Sequence, residues 1–542
     1  MATEFLCSFK ARMTACFAAV VLIFVLAPLL FSSTAAPYWF HDRFFNTLQI
    51  AINFREKGFP TFDGVTLTND FSLIWGMLLC GLSAVISPET AVFFLLVRLL
   101  LGAVLGVSLW LFDKLADALG FPFEKEVRFL TYSFLTALFL YVASTGSDAV
   151  WAIPCIFLNS LCLLKALRNP SLKSGLAAGL TVSLCAFARF DGAAFFAAVL
   201  LVFYFQFNDK YPVSKKQALI LFAGIVVGLI PLMVYADMWQ TKFGSPVPAE
   251  LLRWGKAQDT APWRLLSIVF FEPVRYAFLI PQSIALITFP VALLLLVAYV
   301  SFPWQGQPQK PEDTIFYALI WYPIIYLGVL ATATFLTLPD YAFYPFAVGA
   351  PFALLFAAGK INAQVSEKEK KQARRAWVIL GGLLILLSLG RVVKPQSAVY
   401  SHIVREVAGF SGNHSGRYAM GIGAGITSFM AKTEIVRIDG AAEDLTLLNM
   451  IEAQEPLDKA FKRFGVNYYI AVNIEKGKDC YSAREPVQNR FGGSNKGMSD
   501  WLCVEPVFEK KATPEIKIAI FAIDASGKAI SDEKESADML QF

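Results

Sequence analysis

Long apolar runs separated by short polar connections dominate the chain up to about residue 390. The runs fall at about 16–34, 72–87, 90–112, 129–143, 149–167, 175–188, 192–207, 218–239, 281–303, 314–337, 342–358 and 376–391. Most approach the ~20 residues that a helix needs to cross ~30 Å of hydrocarbon. The pattern therefore predicts a polytopic α-helical membrane protein with about 11–13 spans. A further stretch, 264–280, is interrupted by polar residues and is expected at the membrane interface.

The pattern changes near residue 392, where the apolar runs shorten and charges return. TEIVRIDG, VNYYIAV and IKIAIFAI are rich in β-branched and aromatic residues, which is typical of strands, and LDKAFKRFG has helical spacing. We therefore expect two parts. A membrane domain covers 1–391, with a first outer loop at 35–71, and a small outer α/β domain covers 392–542.

The distribution of Lys and Arg predicts the orientation, because positively charged loops stay in the cytoplasm. Lys10 and Arg12 precede the first run, and segment 359–377 carries six Lys and Arg against two Glu. We expect both regions in the cytoplasm and the C-terminal domain on the outer side of the membrane. Ends on opposite sides require an odd number of spans, so eleven or thirteen are expected, not the twelve runs counted.

The miscounted span lies in the pair 72–87 and 90–112 or in the stretch 264–280. The first run is followed by SSTAA, which resembles a signal-peptide cleavage site. Its apolar core of ~19 residues exceeds the 7–15 usual in signal peptides, which favours an uncleaved anchor.

Composition agrees with a membrane protein, since 56% of the 542 residues are hydrophobic and 16% are charged. The net charge of +5 is small and gives no reason to expect nucleic acid as a partner. GIGAG at 421–425 has the wrong spacing for a dinucleotide-binding fingerprint, and three scattered histidines are too few for a zinc site. Cys480 and Cys503 are the only cysteines of the outer domain, where an oxidising compartment favours their pairing.

Four polar stretches lie on the expected outer side, at the ends of apolar runs. They are HDRFF (41–45), STGSD (144–148), ARFDG (188–192) and KFGSPVPAELLRWGK (242–256). Charged groups beside hydrocarbon are costly, so their convergence on one side indicates a shared functional site. Taken singly, each stretch also fits a helix cap or a headgroup anchor. QIAINFREKG, which follows HDRFF, fits either an interfacial helix near a lipid substrate or an ordinary connecting helix.

The order of these stretches resembles bacterial membrane glycosyltransferases of the GT-C superfamily, especially the polyprenyl-phosphate-dependent arabinofuranosyl- and mannosyltransferase-like members. HDRFF and TLTNDFSLIW resemble the acidic pair after the first span and the Asn-containing turn before the second. GSD (146–148), ARFDG and the FG…P…K pattern from Phe243 to Lys256 resemble later family motifs. RYAMGIGAGITSF, EIVRIDGAAED and FGVNYYIAV resemble the family's C-terminal part. The chain departs from the family at His41, where an acid is usual, and at Phe190, where proline is usual.

The resemblance implies roles for the residues at the matching positions. Asp42 is the expected general base, and His41 beside it is expected to tune the proton or orient a substrate hydroxyl. Cations stabilise the charge that develops on a leaving phosphate, which is the expected role of Arg189, Arg253 and Lys256. Asp148, Asp191 and Asn69 are expected to line the substrate cavity. A divalent metal held by Asp42, Asp148 and Asp191 is left open.

The implied function is that of an inverting glycosyltransferase. It would move a monosaccharide from a polyprenyl-phosphate donor to a hydroxyl of an envelope glycan, glycolipid or protein on the outer face of the membrane. The resemblance also implies a bacterial inner membrane, with the C-terminal domain in the periplasm. A transporter or flippase is one alternative, and it would place charges near the bilayer midplane within inverted repeats. A non-catalytic scaffold or sensor is another, and it would have no shared cavity behind Asp42.

Overall fold

The apolar runs form helices that pack side by side. The computed structural model describes residues 9–31, 33–68, 72–121, 124–206, 215–244, 310–333, 344–364, 366–392, 397, 399–440, 445–486, 497–513 and 516–530. In chain order the helices of the first part are α1 (Phe9–Phe31), α2 (Asp42–Lys57), α3 (Leu73–Val85), α4 (Ala91–Ala118), α5 (Lys125–Ser144), α6 (Ala149–Arg168), α7 (Leu172–Ala188), α8 (Ala194–Gln206), α9 (Lys215–Gly228), α10 (Ile230–Phe243), α11 (Pro311–Ala333), α12 (Tyr344–Gln364) and α13 (Glu367–Val392).

Among the described residues, four helices are individually long and apolar enough to cross a membrane. They are α4, α5, α6 and the segment Glu367–Gly390 of α13. Helices α9 and α10 add a fifth span when they are taken together, with a bend of 42° between them. Shorter apolar helices complete the bundle. The prediction of a multi-pass helical membrane protein with a small C-terminal α/β part is confirmed.

Ion pairs identify the two ends of the bundle. At one end Arg168 donates to Glu312 (2.7 Å) and to the carbonyl of Ala118 (2.6 Å), joining the end of α6 to α11 and α4. Glu124, which precedes α5, lies at this same end and pairs with Arg374 (3.0 Å). The opposite end, called the sheet side below, faces the C-terminal part.

The run 72–87 is not a span, and this corrects the count made from the sequence. It forms α3, whose 13 residues are only about 20 Å long. Helix α3 packs against α2, and Arg55 of α2 donates to the carbonyl of Ser83. Glu89, just before α4, pairs with Lys432 of the C-terminal part (2.8 Å), so α4 begins on the sheet side. The run 281–303 lies outside the described residues, so the expected total of eleven or thirteen spans stays a prediction.

Helices α7 and α9 touch backbone to backbone through two glycines on each. A methyl group added at Gly179 would lie 2.3 Å from the carbonyl oxygen of Ile225, and one at Gly228 would lie 2.5 Å from that of Leu176. Gly175 and Gly224 are equally close to the facing helix. Small residues four apart are the usual means of such close helix packing in membranes. The first half of α7 is therefore packed closely against α9.

The C-terminal part is built on two sheets. Its helices are α14 (Tyr400–Ser411), α15 (Ala424–Ala431), α16 (Leu445–Glu452) and α17 (Leu457–Phe464). Its strands are β1 (Tyr418–Met420), β2 (Ile435–Arg437), β3 (Tyr468–Val472), β4 (Glu475–Lys476), β5 (Tyr481–Glu485), β6 (Met498–Leu502), β7 (Phe508–Thr513), β8 (Ile516–Ile523) and β9 (Ala529–Ile530). The larger sheet has the order β2-β1-β3-β8-β7, with β9 beside β8, and β4-β5-β6 form the smaller sheet. Strands β2, β1 and β3 are parallel, and the remaining pairs are antiparallel.

The two faces of the larger sheet pack against different partners. Because side chains alternate along a strand, Tyr469 of β3 faces α16 and α17, whereas Tyr468 and Ile470 face the other way. This second face contacts Ile50 of α2 and Trp239 of α10. The sheet domain is therefore seated on the helical part through a continuous apolar core.

The strands expected from TEIVRIDG, VNYYIAV and IKIAIFAI are β2, β3 and β8, and the helix expected from LDKAFKRFG is α17. Cys480 and Cys503 are joined by a disulfide, in agreement with the pairing expected from the sequence. The bond links the start of β5 to the residue after β6.

Candidate functional site

Asp42 is the first residue of α2, where a carboxylate is favoured by the helix dipole. His41 precedes it in an extended conformation, and its ring is exposed. Phe44 and Phe45 are buried in the helical bundle, while Ile50 faces the sheet domain. Helix α2 therefore lies between the bundle and the sheet domain, so the reading of it as a connecting helix fits better than that of a free interfacial helix.

The Asp42 carboxylate is buried and held by the sheet domain. Its side chain is 4% exposed, and Oδ2 lies 2.7 Å from Nη1 of Arg437 at the end of β2. Oδ1 accepts the backbone N–H of Ile426 in α15 at 2.9 Å. A cation and a backbone donor therefore cover the Asp42 carboxylate.

Arg437 gathers polar groups from both parts of the molecule. Besides Asp42, Nη1 donates to Oδ1 of Asn46 at 2.6 Å, and Nε and Nη2 donate to the two oxygens of Asp439 at 2.7 and 2.9 Å. Burial alone would lower the pKa of the Arg437 guanidinium, but the carboxylates of Asp42 and Asp439 raise it above its usual value. The guanidinium is therefore permanently charged.

Glu485 of β5 extends this cluster into the sheet domain. Its carboxyl is buried and accepts a hydrogen bond from the hydroxyl of Tyr469 at 3.1 Å. Burial, reinforced by the negative charge of Asp439, raises the pKa of Glu485 to about 8. Glu485 is therefore mostly protonated near neutral pH.

A second polar cluster lies at the sheet-side turns after α5 and α7. Arg189 donates through Nη1 to Oδ1 of Asp148 (2.9 Å) and through Nε to Asp191 (2.9 Å). Arg189 and Asp191 are buried, whereas the Asp148 side chain is 20% exposed. The turn is fixed by the N–H of Gly192, which donates to the carbonyl of Arg189 at 2.8 Å.

Tyrosines from α11 and α12 close the inner side of this second cluster. The hydroxyls of Tyr326 and Tyr344 donate to Asp191, the latter at 3.2 Å. Tyr322 bonds to Tyr344 at 2.7 Å. Asp191 therefore has one cation and two hydroxyls as partners, and Asp148 is the more accessible of the two carboxylates.

The two clusters approach each other at the sheet side. A methyl group added at Gly146, two residues before Asp148, would lie 2.8 Å from the Phe44 side chain of α2. The carbonyl of Gly146 also accepts the Trp75 indole N–H at 2.9 Å. The turn that carries Asp148 therefore packs on the first turn of the helix that carries Asp42.

A small cleft opens beside the first cluster. It has an empty volume of about 310 Å³ and lies between the loop that follows α2 and the sheet domain. Its lining includes Phe62, Leu67, Leu447 and Phe464, with Arg437 at one end. The loop is held to the sheet domain by Arg417, which pairs with the buried Asp63.

Several predicted site residues are not described. Asn69, Arg253 and Lys256, and the stretch 264–280, lie outside the described residues. Of the predicted residues that are described, Asp148, Arg189 and Asp191 form one cluster and Asp42 belongs to the other. Within the described ranges no three His, Cys, Asp or Glu side chains are close enough to hold a metal ion.

Three features of the site were missed from the sequence. Arg437 and the tyrosines 322, 326 and 344 carry no local signal, because each is an ordinary residue of a strand or an apolar helix. Arg98 had a signal, namely a cation within an apolar run. It is buried in α4, with the Phe24 ring 4.3 Å from its guanidinium, and within the described part its Nε and Nη1 have no hydrogen-bond partner.

Comparison with known proteins gives similarity at the level of structure. No family model and no curated protein sequence matches the chain. ArnT from Cupriavidus metallidurans, solved with bound undecaprenyl phosphate, is similar over 85% of this chain and 92% of its own, with a TM-score of 0.53 and 10% identity.

The Archaeoglobus fulgidus oligosaccharyltransferase, solved in the apo form, is similar over 85% of this chain and 69% of its own, with a TM-score of 0.52 and 12% identity. The mycobacterial arabinofuranosyltransferase AftD matches with a TM-score of 0.46 and 12% identity, over 86% of this chain and 35% of its own. The first two similarities confirm the resemblance at the level of fold: the chain has a GT-C-like fold, similar to those of ArnT and the oligosaccharyltransferase.

Proposed function

We propose that this protein is an inverting glycosyltransferase that uses a polyprenyl-phosphate sugar as its donor. The observation that carries the proposal is the combination of a GT-C-like fold with two carboxylate clusters that meet on one side of the helical bundle. ArnT, which has a similar fold, was solved with undecaprenyl phosphate. A lipid-linked donor suits a site at the end of a bundle of apolar helices, because the lipid tail can stay in the bilayer.

The reaction defines what the site must supply. An acceptor hydroxyl oxygen bonds to the anomeric carbon of the sugar, the bond from that carbon to the phosphate oxygen breaks, and polyprenyl phosphate leaves. A general base takes the hydroxyl proton, and cations stabilise the charge on the departing phosphate. We assign the acceptor to the cell envelope, as a glycan, glycolipid or protein.

Asp42 is the proposed base, and Asp148 is its competitor. Asp42 contacts Arg437, and each of its carboxylate oxygens keeps a second lone pair that can accept a proton. Asp148 is more exposed, and it shares Arg189 with Asp191. His41, exposed beside Asp42, is proposed to orient the acceptor hydroxyl.

Arg189 is the proposed phosphate contact within the described residues, and Arg253 and Lys256 remain proposals outside them. The Arg189 guanidinium already donates to two carboxylates, so phosphate would compete with Asp148 and Asp191 for its N–H groups. We assign the sheet side to the outer face of a bacterial inner membrane, because the Lys- and Arg-rich segments lie at the other end of the bundle.

The test supplies labelled polyprenyl-phosphate sugars and envelope extract to the purified full chain in lipid nanodiscs. Asp42→Asn should lower kcat per folded molecule by about 10²–10⁴-fold, the usual worth of a general base. The matched control is Asp63→Asn, which removes another buried, Arg-paired carboxylate of the same loop. Both variants should lose stability, since breaking a buried ion pair costs about 3–5 kcal/mol.

The outcomes separate the assignments. Normal turnover by Asp42→Asn together with a large loss in Asp148→Asn would move the base to Asp148. Equal losses in Asp42→Asn and Asp63→Asn would make the effect structural. No transfer by the wild type from any polyprenyl-phosphate sugar would overturn the glycosyltransferase proposal.

A further inference from the structure

We propose that Arg437 is a positioning residue for Asp42, so that the sheet domain completes the reaction site of the helical domain. This inference rests on the proposed function. Arg437 is delivered by β2, while Asp42 begins the first sheet-side helix. Nothing in the motif order of the sequence assigns a role to this arginine.

The contact fixes the carboxylate in two directions. Arg437 holds Oδ2 of Asp42 at 2.7 Å, and the N–H of Ile426, also from the sheet domain, holds Oδ1 at 2.9 Å. Asn46, one turn further along α2, accepts from the same Nη1 at 2.6 Å. The orientation of the Asp42 carboxylate is therefore set by the sheet domain.

The Arg437 guanidinium is itself held in place by a second carboxylate, that of Asp439. Asp439 accepts from Nε at 2.7 Å and from Nη2 at 2.9 Å, a two-point contact that fixes the plane of the group. The Arg437 side chain is only 6% exposed. A lysine could supply the charge at this position but could not contact Asp439 at two points while also reaching Asp42.

The glycine run GIGAG makes this approach possible. A methyl group added at Gly425 would lie 2.4 Å from Oδ1 of Asn46 and 2.6 Å from the carbonyl oxygen of Asp42. One added at Gly421 would lie 2.1 Å from the Glu485 carboxylate. Gly425 therefore allows the start of α2 to approach α15 closely, while Gly421 makes room for Glu485 within the sheet domain.

The charge of Arg437 gives the positioning a chemical consequence. A buried carboxylate is costly in its ionised form unless a cation pairs with it. Without the guanidinium, Asp42 would take up a proton more readily and would lose its capacity to accept one from the acceptor. Arg437 therefore both orients Asp42 and supplies the positive charge that compensates the burial of its carboxylate.

The experiment compares Arg437→Met and Arg437→Lys with Arg417→Met in the full chain. Arg417 is the matched control because it joins the sheet domain to Asp63 of the same loop without contacting Asp42. We expect kcat to fall at least about 10-fold in Arg437→Met, with little change in KM for the donor. This loss is smaller than the rate enhancement that a general base itself contributes, because Arg437 only positions the base. The acid limb of the pH–rate profile should move to higher pH, and Arg437→Lys should restore the charge effect but only part of kcat.

A readout independent of turnover keeps the two proposals separable. In infrared spectra at neutral pH, Arg437→Met should gain a protonated-carboxyl band that disappears in Arg437→Met combined with Asp42→Asn. If the wild type transfers no sugar, the proposed function fails, while this band still tests the pairing. An unchanged pH–rate profile and no added band in folded Arg437→Met would overturn the inference. Should Arg437→Met fail to fold, Asp439→Asn loosens the same guanidinium, and normal kcat with a normal pH profile there would overturn it as well.

Discussion

At the scale of single residues, Glu485 couples stability to pH. Its pKa is raised from 4.5 to about 8 in the folded protein by burial and by Asp439. Between these values the folded chain holds a proton that the unfolded chain releases. The free energy of unfolding therefore falls as pH rises from 4.5 to 8, by up to about 1.4 kcal/mol per pH unit, and the stabilisation present at low pH is lost above 8.

Glu485→Gln should remove this dependence, because the amide keeps the shape and cannot ionise. We expect thermal unfolding of the detergent-solubilised wild type to occur at clearly lower temperature at pH 8.5 than at pH 5.5, and the variant to show a smaller difference. Parallel shifts in the two proteins would mean that another group controls the pH dependence.

Contacts between single residues were also the feature of the site that the sequence predicted least completely. Asp42 and Arg437 are 395 positions apart, so no local pattern connects them. Tyr326 and Tyr344, which donate to Asp191, lie in apolar helices, where the sequence pattern predicts only that they pack in the core. Asp148, Arg189 and Asp191, in contrast, were predicted together because charges at span ends are unusual enough to be noticed one by one.

At the scale of elements, the glycine contact packs the first half of α7 directly against α9. Gly179→Ala should push the helices apart, because its methyl would overlap the Ile225 carbonyl at 2.3 Å. Overpacking of this kind costs about 1–3 kcal/mol.

The control is Gly382→Ala in α13, where no heavy atom lies within 4 Å of the added methyl. Thermal unfolding in one detergent should show a lower midpoint for Gly179→Ala and an unchanged or higher one for Gly382→Ala. Equal midpoints for Gly179→Ala and the wild type would show that α9 can move away from the added methyl group without loss of stability.

Most elements were predictable because the membrane imposes a simple rule on length and apolarity. The run 72–87 was the exception, and its reason is physical. Helix α3 buries one side, which includes Trp75 and Leu79, and exposes apolar residues such as Met77 and Val85 on the other, as a membrane-spanning helix also does. Composition alone therefore cannot decide; the Glu89–Lys432 pair, which puts the start of α4 on the sheet side, does.

At the scale of the whole molecule, the orientation assigned from charge can be tested by labelling. In a background whose six cysteines outside the disulfide are alanine, Ser366→Cys places a thiol on an exposed residue before α13. Ala525→Cys places one on an exposed turn of the sheet domain. A reagent that cannot cross membranes should label Ala525→Cys and spare Ser366→Cys in spheroplasts. The opposite pattern would invert the assigned topology.

The pairing of Asp42 with Arg437 also has a consequence for synthesis. The two residues leave the ribosome 395 positions apart. At about 5–20 residues per second, the helix that carries Asp42 would wait roughly 20–80 s for its arginine. Throughout that interval the nascent protein already has its first sheet-side carboxylate but lacks the group that would orient it. Under the proposed function, a chain released before β2 is made would therefore carry its base without the group that orients it.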